Sequence, residues 1–204
     1  MSRRRLALAS PAHLMRRIAE TRDPLRVGRA AILLIAAGYT IAIAVLWIAG
    51  AKMTIPAWLP IPEDQYYAVE TFFIGPLTIA LWIVAAWVAH RLAGRVGGRG
   101  TFRITLALLA VAIAIASLAT LVPDLITGAL FVTRALPQDE WLEMTSGGFW
   151  QGVVIGYLTL YLVGFAVLFP VAVRVGEGVS RRAAVAIGWL SFAVYQVPYL
   201  IAVR

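Results

Sequence analysis

Cysteine is absent from the 204-residue chain, and only 14% of the residues are charged. Without cysteine the protein has no disulfide, no thiol nucleophile and no cysteine-ligated metal site. Soluble domains carry charge on about a quarter of their residues, so a chain that is 61% hydrophobic does not belong to that class. Apolar runs of about 18 residues or more indicate helices that cross a membrane.

Patterns of known catalytic centres are also absent. The sequence has no HExxH motif, no Ser-Lys dyad pattern and no pair of aspartates within apolar runs. Both histidines, His13 and His90, are expected on the cytoplasmic side, across the membrane from most acidic residues. We therefore predict a non-enzymatic protein with no metal site and no cofactor.

The formal net charge of +8 does not indicate nucleic-acid binding. Basic residues bracket the apolar runs and form no stripe interleaved with aromatic residues. This distribution favours contact with anionic lipid headgroups, so we predict membrane lipids as partners and no nucleic acid.

The apolar runs predict an all-α integral membrane protein with a five-helix bundle. Residues 1–29 form a basic N-terminal segment, and residues 30–204 form the membrane domain. The five helices are expected at about residues 30–50, 70–92, 102–122, 148–173 and 183–203.

Charge predicts the orientation of the bundle. Counting Lys and Arg against Asp and Glu, residues 1–29 carry +6, residues 91–103 +4 and residues 174–182 +2. Residues 52–70 carry −2 and residues 124–143 −3. Positive loops stay in the cytoplasm, so we predict an inner-membrane protein with its N-terminus inside and Arg204 outside.

Ser10-Pro11 resembles the start of a short helix. That helix would place Leu14 and Ile18 on one side and lie flat on the inner leaflet. The alternative is a disordered basic tail. In the loop at 51–69, the run IPAWLPIP holds too many prolines for a helix.

The second and third predicted helices form a hairpin between Tyr66 and Asp124. Gly75-Pro76 should kink its first helix, and Pro123-Asp124 should end its second. Small residues recur at four-residue spacing on both, so the two helices should touch along much of their length.

The basic turn GGRGTFR joins the two helices of this hairpin. Gly97, Gly98 and Gly100 can adopt a positive φ and end the first helix, and Thr101 can cap the second. A phosphate-binding loop is disfavoured because no strand precedes the turn and the Lys-Ser/Thr pair is missing. Four arginines are expected to contact inner-leaflet headgroups: Arg91, Arg95, Arg99 and Arg103.

Gly148, Gly152 and Gly156 form a tandem GxxxG pattern in the fourth helix. Such a face lets backbones approach closely. We predict that it packs against a neighbour in the bundle or a second copy of the chain.

Several hairpin features resemble the Yip family (Ypt-interacting proteins), in particular its bacterial members. A tyrosine pair and a carboxylate lead into FFIGPL, the helix ends in RVGGRGTFRITLALL, and the next helix closes on LVPDLI. The match covers residues 66–126. The resemblance implies a five-helix membrane protein that engages protein partners. Eukaryotic relatives bind prenylated Rab-type GTPases, but their long acidic N-terminal region is missing here.

Glu70 and Asp124 are predicted at the same depth near the outer boundary. Two carboxylates at one level could bind a cation or share a proton. The alternative is that both mark the water boundary of their helices.

Three functions remain open at this stage. The first is a protein that organises protein partners or lipids in the membrane. The second is a small ion or solute transporter or channel with an acidic outer mouth. The third is a membrane subunit of a larger complex.

Overall fold

A computed structural model describes residues 10–53, 58–143 and 147–203. Residues 1–9 of the basic segment, residues 54–57 of the proline-rich loop and Arg204 lie outside the described residues. Within the described ranges the chain is helical and contains no strand. Its helices are α1 (Pro11–Ala19), α2 (Pro24–Ile48), α3 (Tyr66–Arg95), α4 (Phe102–Val132), α5 (Gln138–Glu143), α6 (Gly148–Glu177) and α7 (Arg181–Val203).

Five of these helices, α2, α3, α4, α6 and α7, are long and apolar enough to cross a membrane. The shortest, α7, has 23 residues, or about 35 Å at 1.5 Å per residue. The hydrocarbon core of a bilayer is about 30 Å thick. The prediction of an all-α membrane protein with five spanning helices is confirmed.

Side-chain caps begin three helices, at Ser10 and Thr101 as predicted and at Asp23. Ser10 Oγ accepts from the backbone N–H of His13 at 3.3 Å, and Thr101 Oγ1 accepts from that of Ile104 at 3.4 Å. Asp23 Oδ1 accepts from the backbone N–H of Arg26 at 3.2 Å, so α2 begins at Pro24 rather than near residue 30. The cap satisfies a backbone donor that would otherwise have no partner at the helix start.

Pro123-Asp124 does not end a helix, contrary to the prediction. α4 continues through Pro123 to Val132, and the Thr127 hydroxyl donates to the Pro123 carbonyl oxygen at 3.0 Å. In an apolar environment a broken helix leaves backbone groups without partners, so the helix tolerates one proline. α3 likewise runs without interruption through Gly75-Pro76; the kink there stays a prediction.

α4 is the most buried of the five spans. It packs chiefly against α2 and α6 and less against α3. The two hairpin helices contact each other, as in the bond from Trp82 Nε1 to the Leu106 carbonyl oxygen, but they are not each other's main partners. Glycine explains the preference. A Cβ atom on Gly28 of α2 would lie 2.7 Å from Ala107 Cα, and one on Gly176 of α6 would lie 3.3 Å from Thr105 Oγ1. Because glycine has no side chain, α2 and α6 can approach α4 closely at these positions.

The two ends of the bundle differ in charge. The basic end holds α1, the turn at 96–101 and the α6–α7 turn. The acidic end holds the loop between α2 and α3, helix α5 and the last turn of α7. The Tyr66 hydroxyl, for example, donates to the Val203 carbonyl oxygen at 2.5 Å, joining the start of α3 to the end of α7.

Helix α1 forms as predicted but buries a different residue. Met15 is fully buried in the core, whereas Leu14 is 43% exposed. α1 packs against α6 and α4. It is therefore docked on the basic end of the bundle through Met15, with Arg16 and Arg17 facing outward.

The turn glycines serve two purposes. Gly97 has φ +84°, as predicted, but Gly98 and Gly100 do not have positive φ. A Cβ atom on Gly98 would lie 2.8 Å from the Ala93 carbonyl oxygen, and one on Gly100 would overlap the Gly176 carbonyl oxygen. At these two positions glycine permits close backbone approach.

The tandem glycines of α6 do not pack inside the chain. Gly148, Gly152 and Gly156 are exposed, and a Cβ atom at each would meet no described atom within 4 Å. The first of the two predicted packing modes, a neighbour in the bundle, is therefore wrong for the described residues.

Candidate functional site

A partly open cavity of about 300 Å³ lies between the five spans, toward the acidic end of the bundle. Every span contributes to its wall, and Met53 from the loop after α2 completes it. Ligand sites in proteins lie in concave, largely apolar spaces with a few convergent polar groups. This cavity has that composition.

Both predicted carboxylates line this one cavity. Glu70 comes from the second turn of α3, and Asp124 comes from α4 just after Pro123. Only 2% of Glu70 is exposed, and Asp124 is half-buried. Glu70 and Asp124 each interact with another group of the protein. Burial shows that Glu70 lies inside the bundle.

Tyrosines make up most of the polar wall that sequence reasoning missed. Six line the cavity: Tyr39, Tyr66, Tyr67, Tyr157, Tyr161 and Tyr199. Tyr66 and Tyr67 are the first two residues of α3. The others lie in apolar helical runs, where a tyrosine resembles an ordinary core residue. A periodic pattern of hydroxyl-bearing residues at the outer ends of the helices could have indicated them.

An aromatic cluster supports the side of the cavity formed by α6 and α7. Tyr199 stacks on Tyr195 with ring centroids 5.9 Å apart, and Tyr195 stacks on Phe165 at 5.4 Å. Phe165 in turn contacts Tyr161 at 4.7 Å. Tilted and offset rings of this kind hold each other in fixed orientations. The cluster therefore supports the tyrosines that line this wall of the cavity.

Hydrogen bonds hold several lining hydroxyls in place. Tyr39 Oη and Thr120 Oγ1 are 2.5 Å apart, and the Tyr161 hydroxyl donates to Gln196 Oε1 at 2.8 Å. These bonds link α2 to α4 and α6 to α7. Buried polar groups require such partners, and here the partners also orient the wall of the cavity.

The lining has the chemistry of a cation site. Carboxylates carry negative charge when ionised, and tyrosine rings have electron-rich faces that attract ammonium groups. The remaining wall is aliphatic, including Ile43, Leu158 and Leu200. An organic ammonium ion with small apolar substituents is complementary to all three features.

A second buried carboxylate, Glu177, lies at the basic end. Its Oε1 accepts from the Thr105 hydroxyl and lies 2.8 Å from His90 Nδ1. Sequence reasoning counted Glu177 among the surface charges of the 174–182 turn. The fourth helix was predicted to end at residue 173, whereas α6 continues to Glu177. The carboxylate therefore lies on the helix and not in the turn.

The four predicted headgroup arginines, Arg91, Arg95, Arg99 and Arg103, are exposed around the basic end. Arg91 lies over the Trp87 ring at 5.6 Å from its centroid, and Arg103 Nη2 lies 2.7 Å from Asp23 Oδ1. Arg103 thus holds an ion pair within the chain, and lipid contact by these arginines stays a prediction. Over the described residues, no group of three or more His, Asp or Glu side chains could hold a metal ion.

Comparisons with known proteins return no match for this chain among family models, curated proteins or solved structures.

Proposed function

We propose that this chain is a non-enzymatic integral membrane protein that binds a small organic cation in the cavity between its five spans. The observation that carries the proposal is the position of Glu70 and Asp124 on the wall of a single tyrosine-lined cavity. Ionisable residues within a membrane bundle are costly and generally serve a function. A bound cation would neutralise them.

The charge pattern supports an orientation for this site. With the basic end in the cytoplasm, the cavity lies toward the outer face of the inner membrane. A ligand would then reach the carboxylates from outside the cell. This orientation is part of the proposal.

Binding can be tested with choline and with dimethylbutanol, its uncharged isostere. Protein purified in detergent is titrated with each compound at constant ionic strength, and binding is followed by calorimetry and by the thermal unfolding midpoint. We expect saturable binding of choline and much weaker binding of the isostere, because only choline carries the charge that the carboxylates and tyrosines attract.

Glu70→Gln should weaken choline binding by about tenfold or more, since it removes a buried countercharge. Glu63→Gln is the matched control, because Glu63 is an exposed acid that precedes the same helix. Equal weakening in both variants, or choline binding that Glu70→Gln leaves unchanged, would contradict the proposal.

Transport is an alternative use of the same cavity. Uptake of labelled choline into liposomes that contain the protein distinguishes the two roles. We expect binding without flux, since the fully buried carboxylates of the described residues, Glu70 and Glu177, lie at opposite ends of the bundle, and the polar side chains buried between them in the described ranges are hydroxyl and amide groups.

A second candidate function is assembly through α6, in line with the Yip-like features of residues 66–126. The observation that favours it is the exposed face of Gly148, Gly152 and Gly156, which has no described neighbour within 4 Å. We propose that this face packs against α6 of a second copy.

Gly156→Cys should form a disulfide-linked dimer in native membranes, whereas Leu34→Cys, on the outward face of α2, should not. A subunit of a larger complex would instead show Gly156→Cys linked to another protein.

A further inference from the structure

The outer surface of α7 carries an open groove at the basic end of the bundle. Its lining residues, which all belong to α7, are Arg181, Arg182, Val185, Ala186 and Trp189. Their spacing places them along one side of the helix. None of them lines the proposed ligand cavity. The groove therefore runs from the start of α7 toward the interior of the membrane, and the proposed function does not use it.

Arg181 and Arg182 bring two positive charges to the start of the groove. Both are exposed, and the ion pairs among the described residues involve other side chains. Cations are disfavoured in the first turn of a helix, because the positive end of the helix dipole lies there. Helix stability therefore does not account for this pair. Guanidinium groups bind phosphate through paired N–H donors, so the charge of the groove fits a phosphate-bearing anion.

Trp189 forms the other end of the groove, and a backbone group of α6 holds its ring. The Trp189 Nε1–H donates to the Ala166 carbonyl oxygen at 3.0 Å. Pro170, four residues later in α6, has no N–H, so this carbonyl lacks its regular helical partner. The indole replaces that partner, as groups from neighbouring helices do in membrane proteins. Since the ring is still 56% exposed, the bond fixes an aromatic surface on the outside of the bundle.

The two ends of the groove lie at different depths in a membrane. Trp189 follows Arg181 by eight positions, which is about 12 Å at 1.5 Å per residue. The headgroup layer on each side of a bilayer is only about 5–8 Å thick. When the arginines lie among the headgroups, Val185 and Trp189 therefore lie among the acyl chains. The groove is charged where a phospholipid is charged and apolar where a phospholipid is apolar.

We propose that this groove binds one anionic phospholipid. Its phosphate contacts Arg181 and Arg182, and one of its acyl chains lies over Ala186 and Trp189. The lipid must carry a net negative charge, because a zwitterionic headgroup brings its own cation to the two arginines. The site differs from the headgroup contacts predicted around the α3–α4 turn, since it combines charge with a fixed apolar surface and so holds a single lipid.

Binding can be followed through the quenching of Trp189 by phosphatidylglycerol with brominated acyl chains. Protein in detergent is titrated with this lipid, which is kept as a minor component of the micelles. The chain has seven tryptophans, so the signal of the site is the quenching that Trp189→Phe removes. Trp87→Phe is the matched control, because Trp87 is an exposed tryptophan of α3 toward the same end. We expect a saturable signal that Trp87→Phe keeps and Trp189→Phe loses.

The charge requirement is tested with two double variants. Arg181→Gln combined with Arg182→Gln should raise the half-saturating lipid concentration about thirtyfold, since each arginine near a membrane surface contributes roughly a factor of five. Arg16→Gln combined with Arg17→Gln removes the same charge from two exposed residues of α1 at the same end and should leave this concentration unchanged. Brominated phosphatidylcholine with the same chains should give no saturable signal in this range.

Equal shifts in the two double variants would overturn the site, because general attraction to a basic surface would explain them. Equal quenching by the two lipids would overturn it as well. A signal that is absent from the parent protein would mean that no lipid binds, as expected if another chain covers the groove.

Native mass spectrometry keeps the test independent of Trp189→Phe, should that variant not fold. One phosphatidylglycerol should stay bound to the parent protein and to the α1 double variant, and it should be lost from the α7 double variant. Equal retention in all three would contradict the proposal. No cavity ligand is used in either measurement, so both results are independent of choline binding.

Discussion

Gly188 of α7 lies against Pro170 of α6 so closely that a Cβ atom on the glycine would stand 2.5 Å from the proline nitrogen. Pro170 has no N–H to donate, and Gly188 has no side chain to displace it. The two helices therefore meet backbone to backbone at this point. Such contact is the main attraction between helices in lipid.

Gly188→Ala should destabilise the bundle. The added methyl group would force α6 and α7 apart, and overpacking of this kind costs about 1–3 kcal/mol. Thermal unfolding in detergent should show a lower midpoint. Gly94→Ala in α3 is the matched control, since a Cβ atom on Gly94 would meet no described atom within 4 Å and alanine favours a helix by up to about 1 kcal/mol. A midpoint that falls equally in both variants would refute the assignment of the two helix faces.

Tyr66→Phe should loosen the acidic end of the bundle. The Tyr66 hydroxyl donates to the Val203 carbonyl oxygen at 2.5 Å, and its loss should cost about 1 kcal/mol. Hydrogen exchange at the end of α7 should become faster. Trp58→Phe, at an exposed residue of the same end, should leave the exchange unchanged. Unaltered exchange in Tyr66→Phe would mean that α7 is held by packing alone.

The ion pair between Asp23 and Arg103 should make stability depend on pH. The hydrogen bond from Arg103, followed by that from the backbone of Arg26, lowers the pKa of Asp23 below its ordinary value of 3.8. Because the pKa of Asp23 is lower in the folded protein, the ion pair stabilises the fold at pH values above the pKa of Asp23 in the unfolded chain. This contribution is lost as the pH falls through the pKa of Asp23 in the folded protein. Asp23→Asn should remove the contribution.

The effect of Asp23→Asn should be small, because the pair is exposed and salt screens it. Unfolding midpoints of the parent and Asp23→Asn proteins should differ at neutral pH and converge in acid. A difference that stays constant over this range would contradict a contribution from the Asp23 charge, since Asn keeps a side-chain oxygen that accepts from the Arg26 N–H.

The predicted orientation can be tested in intact cells with an impermeant thiol reagent. Trp58→Cys, at the acidic end, should be labelled, whereas Arg99→Cys, in the turn at 96–101, should be labelled only after lysis. The reverse pattern would place the basic end outside.

Local patterns in the sequence determined the five apolar spans, the sign of the charge at each end and the starts of α1 and α4, whereas α2 begins before its predicted start. These features depend on residues a few positions apart. Ser10, Asp23 and Thr101 each cap the turn that follows them, so no distant contact is needed. The equal depth of Glu70 and Asp124 likewise follows from counting residues along two helices.

Tertiary structure decided which side of each helix meets a neighbour. Nothing local distinguishes Gly28, where a Cβ atom would lie against the Ala107 backbone, from Gly152, where a Cβ atom would meet no described atom within 4 Å. The same limit hid Glu177, whose partners His90 and Thr105 are 87 and 72 residues away in the chain. In a membrane protein nearly every face of a helix is apolar, so hydrophobic periodicity does not orient it. The meeting of Glu70, Asp124 and the tyrosines around one cavity depends on how five helices rotate and pack together.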